Sequence, residues 1–383
     1  MSLTVKEQKG GNIYEAHRQW ASRPPDQCFE SLQDLHNFCS SYRSRSEVIS
    51  AELSTMRIGP HYRHSDDLVI AGPGADLGHG FEFTNFSFGQ LCSNIQCPPD
   101  FISTLPSEMA AEVMNYKLEQ FEKDGGKQAL LLVQHEKDST TGDKTILKAT
   151  TSKVYDRVWN AQVTRFLLVV NDHFGGRFKP PVENWKGESE LLGGTGLYAS
   201  DRDMFAFLID EQKSLDVKGS ELVRGFFIKN NEVGTGSLSI CMFLCDFVCG
   251  NHIIWNVNQA IQVSARHSGR AATETFEKVF PMAIAIQVAS KASLDEDRIK
   301  LAQDKILGPN KEKVTDYLFG KRLATRKLAN AAWEYSDMRD GMNPNSVWGM
   351  VSGLTAMARN VSHYDKREVI EISATKLMEE VAA

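Results

Sequence analysis

Hydrophobic positions change their spacing near residue 270, and the change predicts where strands give way to helices. Phe29, Leu32, Leu35 and Phe38 or Cys39 recur at helical spacing, so the segment after the Arg23–Pro25 break reads as a helix capped by Asp26. Between Arg57 and Phe88 the chain is rich in Gly, Pro, His and Asp, the signature of short strands joined by loops. Ala110, Met114, Leu118 and Phe121 form the stripe of a helix over Ser107 to Lys123, stopped by Gly125 and Gly126. QALLLVQH and TILKATT, separated by EKDSTTGDK, predict an antiparallel hairpin. Tyr155, Trp159, Val163, Phe166, Val170 and Phe174 then recur every three or four residues, which predicts one long helix whose stripe packs into the core.

Strands follow at Met204 to Ile209 and Val223 to Lys229, and NNEVGTG connects the second of them to the apolar centre of the chain, Arg224 to Gly269. Beyond Gly269 the pattern becomes helical: TETFEKVFPMAIAIQVASKA, EDRIKLAQDKIL, KVTDYLFGKRLATRKLANAAWEYSD and a last segment in which Ile370, Ala374, Leu377 and Val381 share a stripe. The expected fold is α+β, an antiparallel sheet with packed helices and a mainly helical C-terminal region. The expected division is a flexible N-terminus over 1–18, an α+β core domain over 19–290 and a helical region over 291–383.

Composition adds few constraints. At 42% hydrophobic and 24% charged residues the chain is globular, and a net charge of −6 supplies no global attraction to nucleic acid or anionic lipid. No stretch reaches the roughly 18 to 20 apolar residues that span a bilayer, and MSLTVKEQKGG has no signal-peptide core, so a cytoplasmic protein without a membrane partner is expected. Seven cysteines without an export signal read as free thiols. Gly72, Gly74 and Gly78 have the wrong spacing for a phosphate loop and read as a glycine turn. His61 and His64 form H-x-x-H without a third ligand nearby, and surface or loop positions are expected for both.

The central stretch holds the residues that invite chemistry. Cys241, Cys245 and Cys249 are four apart and share a face, but Cys241 and Cys249 would lie about 12 Å apart on a helix or about 26 Å apart on a strand. One zinc ion cannot collect all three, so Cys241 and Cys245 read as core; a zinc site would need Cys249 and His252 joined by two ligands from elsewhere, and the expectation is no metal and no cofactor. An enzymatic site would use Cys249 as nucleophile, His252 or His267 as base and Asn251 to orient the ring; the ordinary alternative is a turn at Gly250. Arg266 and His267 end an alternating run, where they could together hold a phosphate or carboxylate; a structural ion pair with a residue such as Glu232 is the alternative. Lys311 to Lys327 carries six basic and two acidic residues around Tyr317 and Phe319, so Lys321, Arg322, Arg326 and Lys327 are candidate nucleic-acid contacts or else an exposed solvated face.

Several segments resemble one family of prokaryotic, phage and plasmid proteins, domain of unknown function 932. They are W-A-S-R-P-P-D-Q-C-F-E-S-L, N-F-S-F-G-Q-L-C, L-P-S-E-M-A-A-E-V-M-N-Y, Y-D-R-V-W-N-A, G-F-F-I-K-N-N-E-V-G-T-G-S-L, V-C-G-N-H-I-I-W and A-R-H-S-G, spread over roughly residues 19 to 285. The resemblance implies a mobile-element context and no defined activity. The leading expectation is therefore a non-enzymatic, DNA-associated accessory protein, binding single-stranded or recombining DNA, with a homo-oligomer as one form it could take. An enzyme with a Cys/His/Arg site at the central strand rim, and a protein-interaction module acting on a host factor, are the alternatives.

Overall fold

The computed structural model describes residues 27–61, 66–123, 127–137, 143–180, 196–217, 220–246, 251–254, 262–289, 292–339, 341–358 and 364–381. They build two sheets, with helices against each, and a C-terminal helical unit. The fold is α+β, as the change of period predicts.

The first sheet comprises β1 (Ser46–Glu52), β2 (Arg57–Pro60), β3 (Leu68–Ala71), β4 (Phe81–Phe83), β5 (Gln128–Glu136) and β6 (Lys144–Ser152), in the order β1-β5-β6-β4-β3-β2. The β5–β6 hairpin is antiparallel, as expected, whereas β4 and β6 run parallel. Parallel pairing requires a crossover. Helices Asn85–Asn94 and Ser107–Lys123 lie on that path and put Leu91, Met114 and Leu118 against Ile58, Ile70, Leu131 and Leu147 of the sheet. The first of these helices starts inside the run FEFTNFSF, because the Thr84 and Ser87 side chains cap each other's backbone and convert its second half from strand to helix.

The second sheet comprises β7 (Phe178–Lys179), β8 (Leu197–Ala199), β9 (Asp203–Val217), β10 (Ser220–Asn231), β11 (Leu238–Asp246), β12 (Asn251–Ile254) and β13 (Gln262–Ala265). Its main path is β12-β11-β10-β9-β7, with β13 also on β11 and β8 also on β9. Period-2 alternation sorts its side chains. Met204, Ala206, Leu208, Phe226, Ile228 and Ile240 meet the helices Leu32–Ser44, Asn160–His173 and Phe280–Ala289, while Phe205, Phe207, Ile209 and Phe227 gather on the opposite face. The helix over 271–289 contains a π turn at Thr275–Val279, just before Pro281. Proline has no N–H for the carbonyl one turn back, and a widened turn lets the helix continue past it.

Five helices, Ala292–Asp304, Lys311–Gly320, Arg326–Asp337, Val347–Ala358 and Tyr364–Glu379, close around Ile299, Val314, Leu318, Trp348, Val351, Leu354, Ala374 and Leu377. Leu222 of β10 joins this cluster. Among the described residues no helix is long and apolar enough to cross a membrane.

Four expectations are corrected. The first helix begins at Leu32 and is capped by Ser31, whose Oγ accepts the Asp34 N–H at 3.1 Å; Phe29 instead donates its N–H to Leu197, which pulls the preceding chain onto the second sheet. The long helix expected from Tyr155 begins only at Asn160, so Tyr155 and Trp159 lie outside it. The segment KVTDYLFGKRLATRKLANAAWEYSD is two helices, parted where Arg322 takes φ 58° and Thr325 caps the second. His61 lies in the loop after β2, as expected, but is buried at 9% exposure with its Nε2 3.6 Å from Glu82 and is not on the surface; His64 lies outside the described residues.

Candidate functional site

The two sheets meet where the turn between β10 and β11 reaches the first sheet. Asn231 Oδ1 accepts the N–H groups of Val233 at 3.1 Å and Thr235 at 2.8 Å, which folds Asn231 to Gly236 into a tight polar turn. Gly234 has φ 88°, and a Cβ there would lie 3.2 Å from Thr151 Cγ2, so only glycine lets the turn approach β6 this closely. Gln90 fastens the junction: its Nε2 donates to Val233 O at 2.7 Å and its Oε1 accepts Thr150 N–H at 2.9 Å.

The segment between β6 and the helix Asn160–His173 lies along this turn. Tyr155 Oη donates to Asn231 O at 2.8 Å, Arg157 Nε to Glu232 O at 2.9 Å, and the Asn160 N–H to Glu232 Oε1 at 2.5 Å. Asn230 Nδ2 donates to Val158 O and Asn160 Oδ1, both at 2.8 Å. Asp156 accepts the Thr273 N–H and hydroxyl, each at 2.7 Å, and thereby caps the next helix of the layer. These bonds hold the chain extended through Trp159, which is why the aromatic stripe does not become helix there.

The outward side of the seam combines aromatic rings with cations. Arg43 Cζ lies 4.0 Å from the Trp159 ring centroid and Arg157 Cζ 5.7 Å from it; Arg157 also lies 5.1 Å from the Tyr155 ring. Phe86 carries Arg202 at 5.0 Å. Both half-buried rings, Trp159 and Phe86, pack on the same small cluster of Leu132, Ala149 and Val233. Lys148 is buried, 3.3 Å from Asp201, with Tyr42 beside it.

Glu232 lies beneath this surface at 3% exposure. Burial pushes its carboxyl up to about 7, opposed by the Asn160 N–H and by Arg157 and Arg43. Burial also raises the Cys39 thiol and the Tyr42 and Tyr155 hydroxyls, and lowers Arg157 and His267. A carboxyl whose folded-state value exceeds its unfolded value binds protons more tightly in the folded chain, so stability falls as pH rises from about 4.5 and is fully reduced above about 7. Glu232→Gln keeps an acceptor for Asn160 and removes the charge. Urea titrations should show the variant gaining about 3 kcal/mol over the wild type between pH 4.5 and pH 8, at 1.36 kcal/mol per pKa unit; a constant difference across that range would refute the assignment.

The residues singled out from sequence are dispersed. Arg266 and His267 follow β13, but Arg266 is exposed and His267 buried, so they present no joint pair of donors. His267 stacks on Tyr155 at 5.0 Å, its Nδ1 2.7 Å from Asp156 O, which makes it a support of the seam. Glu232, considered as an ion-pair partner for Arg266, engages Asn160. Cys249 lies outside the described residues, as do the side chains of Asn251 and His252, whose backbone forms β12. Cys241 is buried against Phe205, Phe207 and Phe227, a core position as expected. Lys321 pairs with Glu380 at 2.9 Å and Arg326 with Asp316 at 2.5 Å, while Arg322 and Lys327 are exposed. Among the described residues no cluster of three His, Cys, Asp or Glu could hold a metal ion.

Arg43, Phe86, Lys148, Arg157 and Arg202 escape residue-level reading, and Glu232 enters it only as an ion-pair partner for Arg266. The signal for Phe86, Arg157 and Glu232 is segmental, since Y-D-R-V-W-N, N-N-E-V-G-T-G, N-F-S-F-G-Q and R-H-S-G, far apart in the chain, converge here, whereas Arg43, Lys148 and Arg202 lie outside these segments. No protein-family model, curated protein or solved structure matches this chain.

Proposed function

We propose that the chain is a non-enzymatic, DNA-associated accessory protein that binds single-stranded DNA across the seam between its sheets. One observation carries the reading: the Trp159 ring has Arg43 Cζ at 4.0 Å and Arg157 Cζ at 5.7 Å from its centroid, with Phe86 and Arg202 repeating the pairing nearby. Single-stranded nucleic acid is held by base stacking on aromatic faces together with cations that follow the phosphates, and this surface supplies both. Four of the segments that resemble domain of unknown function 932 build the surface or its support. With the resemblance we also propose membership of that family and a cytoplasmic role in a phage, plasmid or integrated element.

Fluorescence anisotropy with a labelled oligothymidylate over a salt series tests the proposal. Trp159→Ala should weaken binding roughly 5- to 100-fold, the range of about 1–3 kcal/mol per stacked base. Arg43→Ala should reduce the slope of log affinity against log salt by about 0.7, one phosphate contact on a single strand. Neutralising Arg322 and Lys327 on the C-terminal helices should leave affinity within about twofold, as expected for charges off the contact surface. Negligible binding at low salt would sink the proposal, and a loss confined to the Arg322 and Lys327 variant would move the site to the C-terminal unit.

A further inference from the structure

We infer that ligand binding at the seam is coupled to proton uptake by Glu232, so that affinity for a phosphate-bearing strand falls as pH rises through neutrality. The inference rests on the DNA-binding reading above. Its basis is placement: Glu232 is buried directly behind the rings and guanidinium groups of the surface, its Oε1 taking the Asn160 N–H and its backbone carbonyl the Arg157 Nε–H. A phosphate held by Arg157 and Arg43 must share their positive field with this carboxylate. Protonation of Glu232 removes the competitor without moving an atom of the contact surface.

Every element packed around Glu232 contributes charged or titratable groups. The helix Leu32–Ser44 supplies Cys39, Tyr42 and Arg43; the segment before the helix Asn160–His173 supplies Tyr155, Asp156 and Arg157; the end of β13 supplies His267; β5 and β6 supply Glu136 and Lys148, with Asp201 beside them. Burial raises Cys39, Tyr42 and Tyr155 away from neutrality, so they stay uncharged. Burial lowers His267, which is therefore neutral at pH 7. Arg157 is lowered by burial from a range so high that it remains a cation. Asp156 is occupied by Thr273, and Lys148 by Asp201. Burial has brought Glu232 up to about 7, so its charge changes there.

The direction follows from linkage. A bound phosphate repels the carboxylate and raises its affinity for a proton above that of the free protein. Affinity is then greatest below about pH 7, declines over the next unit or so, and levels once Glu232 is ionised in both states.

Anisotropy with the same labelled oligothymidylate, at constant ionic strength from pH 6 to pH 9, should show wild-type affinity falling roughly three- to tenfold, up to one pKa unit of coupling. Glu232→Gln should hold the low-pH affinity throughout. Equal slopes in the two proteins would overturn the coupling while leaving the DNA reading intact; no binding by either at any pH would remove that reading and the coupling with it. Calorimetry of the wild type at pH 7.5, in two buffers of different ionisation enthalpy, needs no variant: it should show fractional proton uptake on binding, and zero uptake would equally overturn the coupling.

Discussion

Gly353→Ala is expected to destabilise the C-terminal helices by about 1–2 kcal/mol net, although alanine is the better helix former. On propensity alone, replacing an interior glycine of the helix Val347–Ala358 with alanine would stabilise it by about 0.5–1 kcal/mol. Packing reverses the sign. A Cβ on Gly353 would lie 2.1 Å from Ala332 O, 2.7 Å from Ala332 C and 2.9 Å from Ala332 Cα. All three are backbone atoms of the neighbouring helix Arg326–Asp337, so no side chain can rotate aside. The helices must separate by about an ångström to restore van der Waals contact. Gly349 one turn earlier resists, because its own Cβ position is 2.1 Å from Asn343 O and because Ser336 Oγ donates to its carbonyl at 2.5 Å. The separation would loosen Trp348, Val351 and Leu354, which are fully buried between the helices. Overpacking of this kind costs about 1–3 kcal/mol and occasionally more, and the propensity gain of about 0.5–1 kcal/mol offsets only part of it. The measurement is the urea midpoint of Gly353→Ala and Gly353→Leu, with leucine the worse; an unchanged or raised midpoint for the alanine variant would show that the helices do not touch as described.

That same helix shows why part of the fold could not be read from the sequence. Every residue of Val347–Ala358 except Met357 is buried, so apolar and small residues occupy all sides and no 3.6-residue alternation marks it. The strands were legible for the opposite reason: β9 and β10 separate two faces at period 2, and the β5–β6 turn announces itself through polar residues and glycine. Tyr155 and Trp159 misled because spacings of four continue the stripe of Val163 and Phe166, while the bonds that stop the helix come from Asn231, Glu232 and Thr273, 75 to 117 residues away. The basic run Lys311 to Lys327 reads as a solvated face or a nucleic-acid contact, and its spacing does not announce the pairing of Lys321, Lys311 and Arg326 with Glu380, Glu334 and Asp316. The candidate site was legible only as conspicuous segments. Which side chains face outward, and that Arg43 meets Trp159, depends on a turn joining two sheets.

Arg177→Met should cost about 3–5 kcal/mol, the usual penalty for stranding a buried charge, and should do so without weakening the seam. Arg177 donates Nε to Asp210 Oδ1 at 2.8 Å and Nη2 to Oδ2 at 2.5 Å, a two-point pair in which Asp210 is wholly buried and the arginine side chain only 10% exposed. The pair ties the short β7 to the middle of β9, where Phe178 pairs with Asp210, and Asn171 Oδ1 adds a bond from the Phe178 N–H at 2.9 Å. Methionine fills much of the arginine stem's volume, so the loss isolates charge and hydrogen bonding from packing. The Asp210 carboxylate would keep the Gln212 N–H at 3.2 Å as a neutral donor in place of a guanidinium. Combining Arg177→Met with Asp210→Leu should recover most of the loss, because a pair of apolar residues requires no desolvation of ions. Chemical denaturation of the two single variants and the double variant gives the cycle, and additive losses would mean that the pair is not coupled. Asp210 is seven residues along β9 from Asp203, roughly 23 Å at strand rise, and the seam cations Arg202 and Lys148 lie beyond that end. The folded fraction of Arg177→Met should therefore bind oligothymidylate with wild-type affinity and salt slope, which separates a residue that holds the second sheet together from those that meet the ligand.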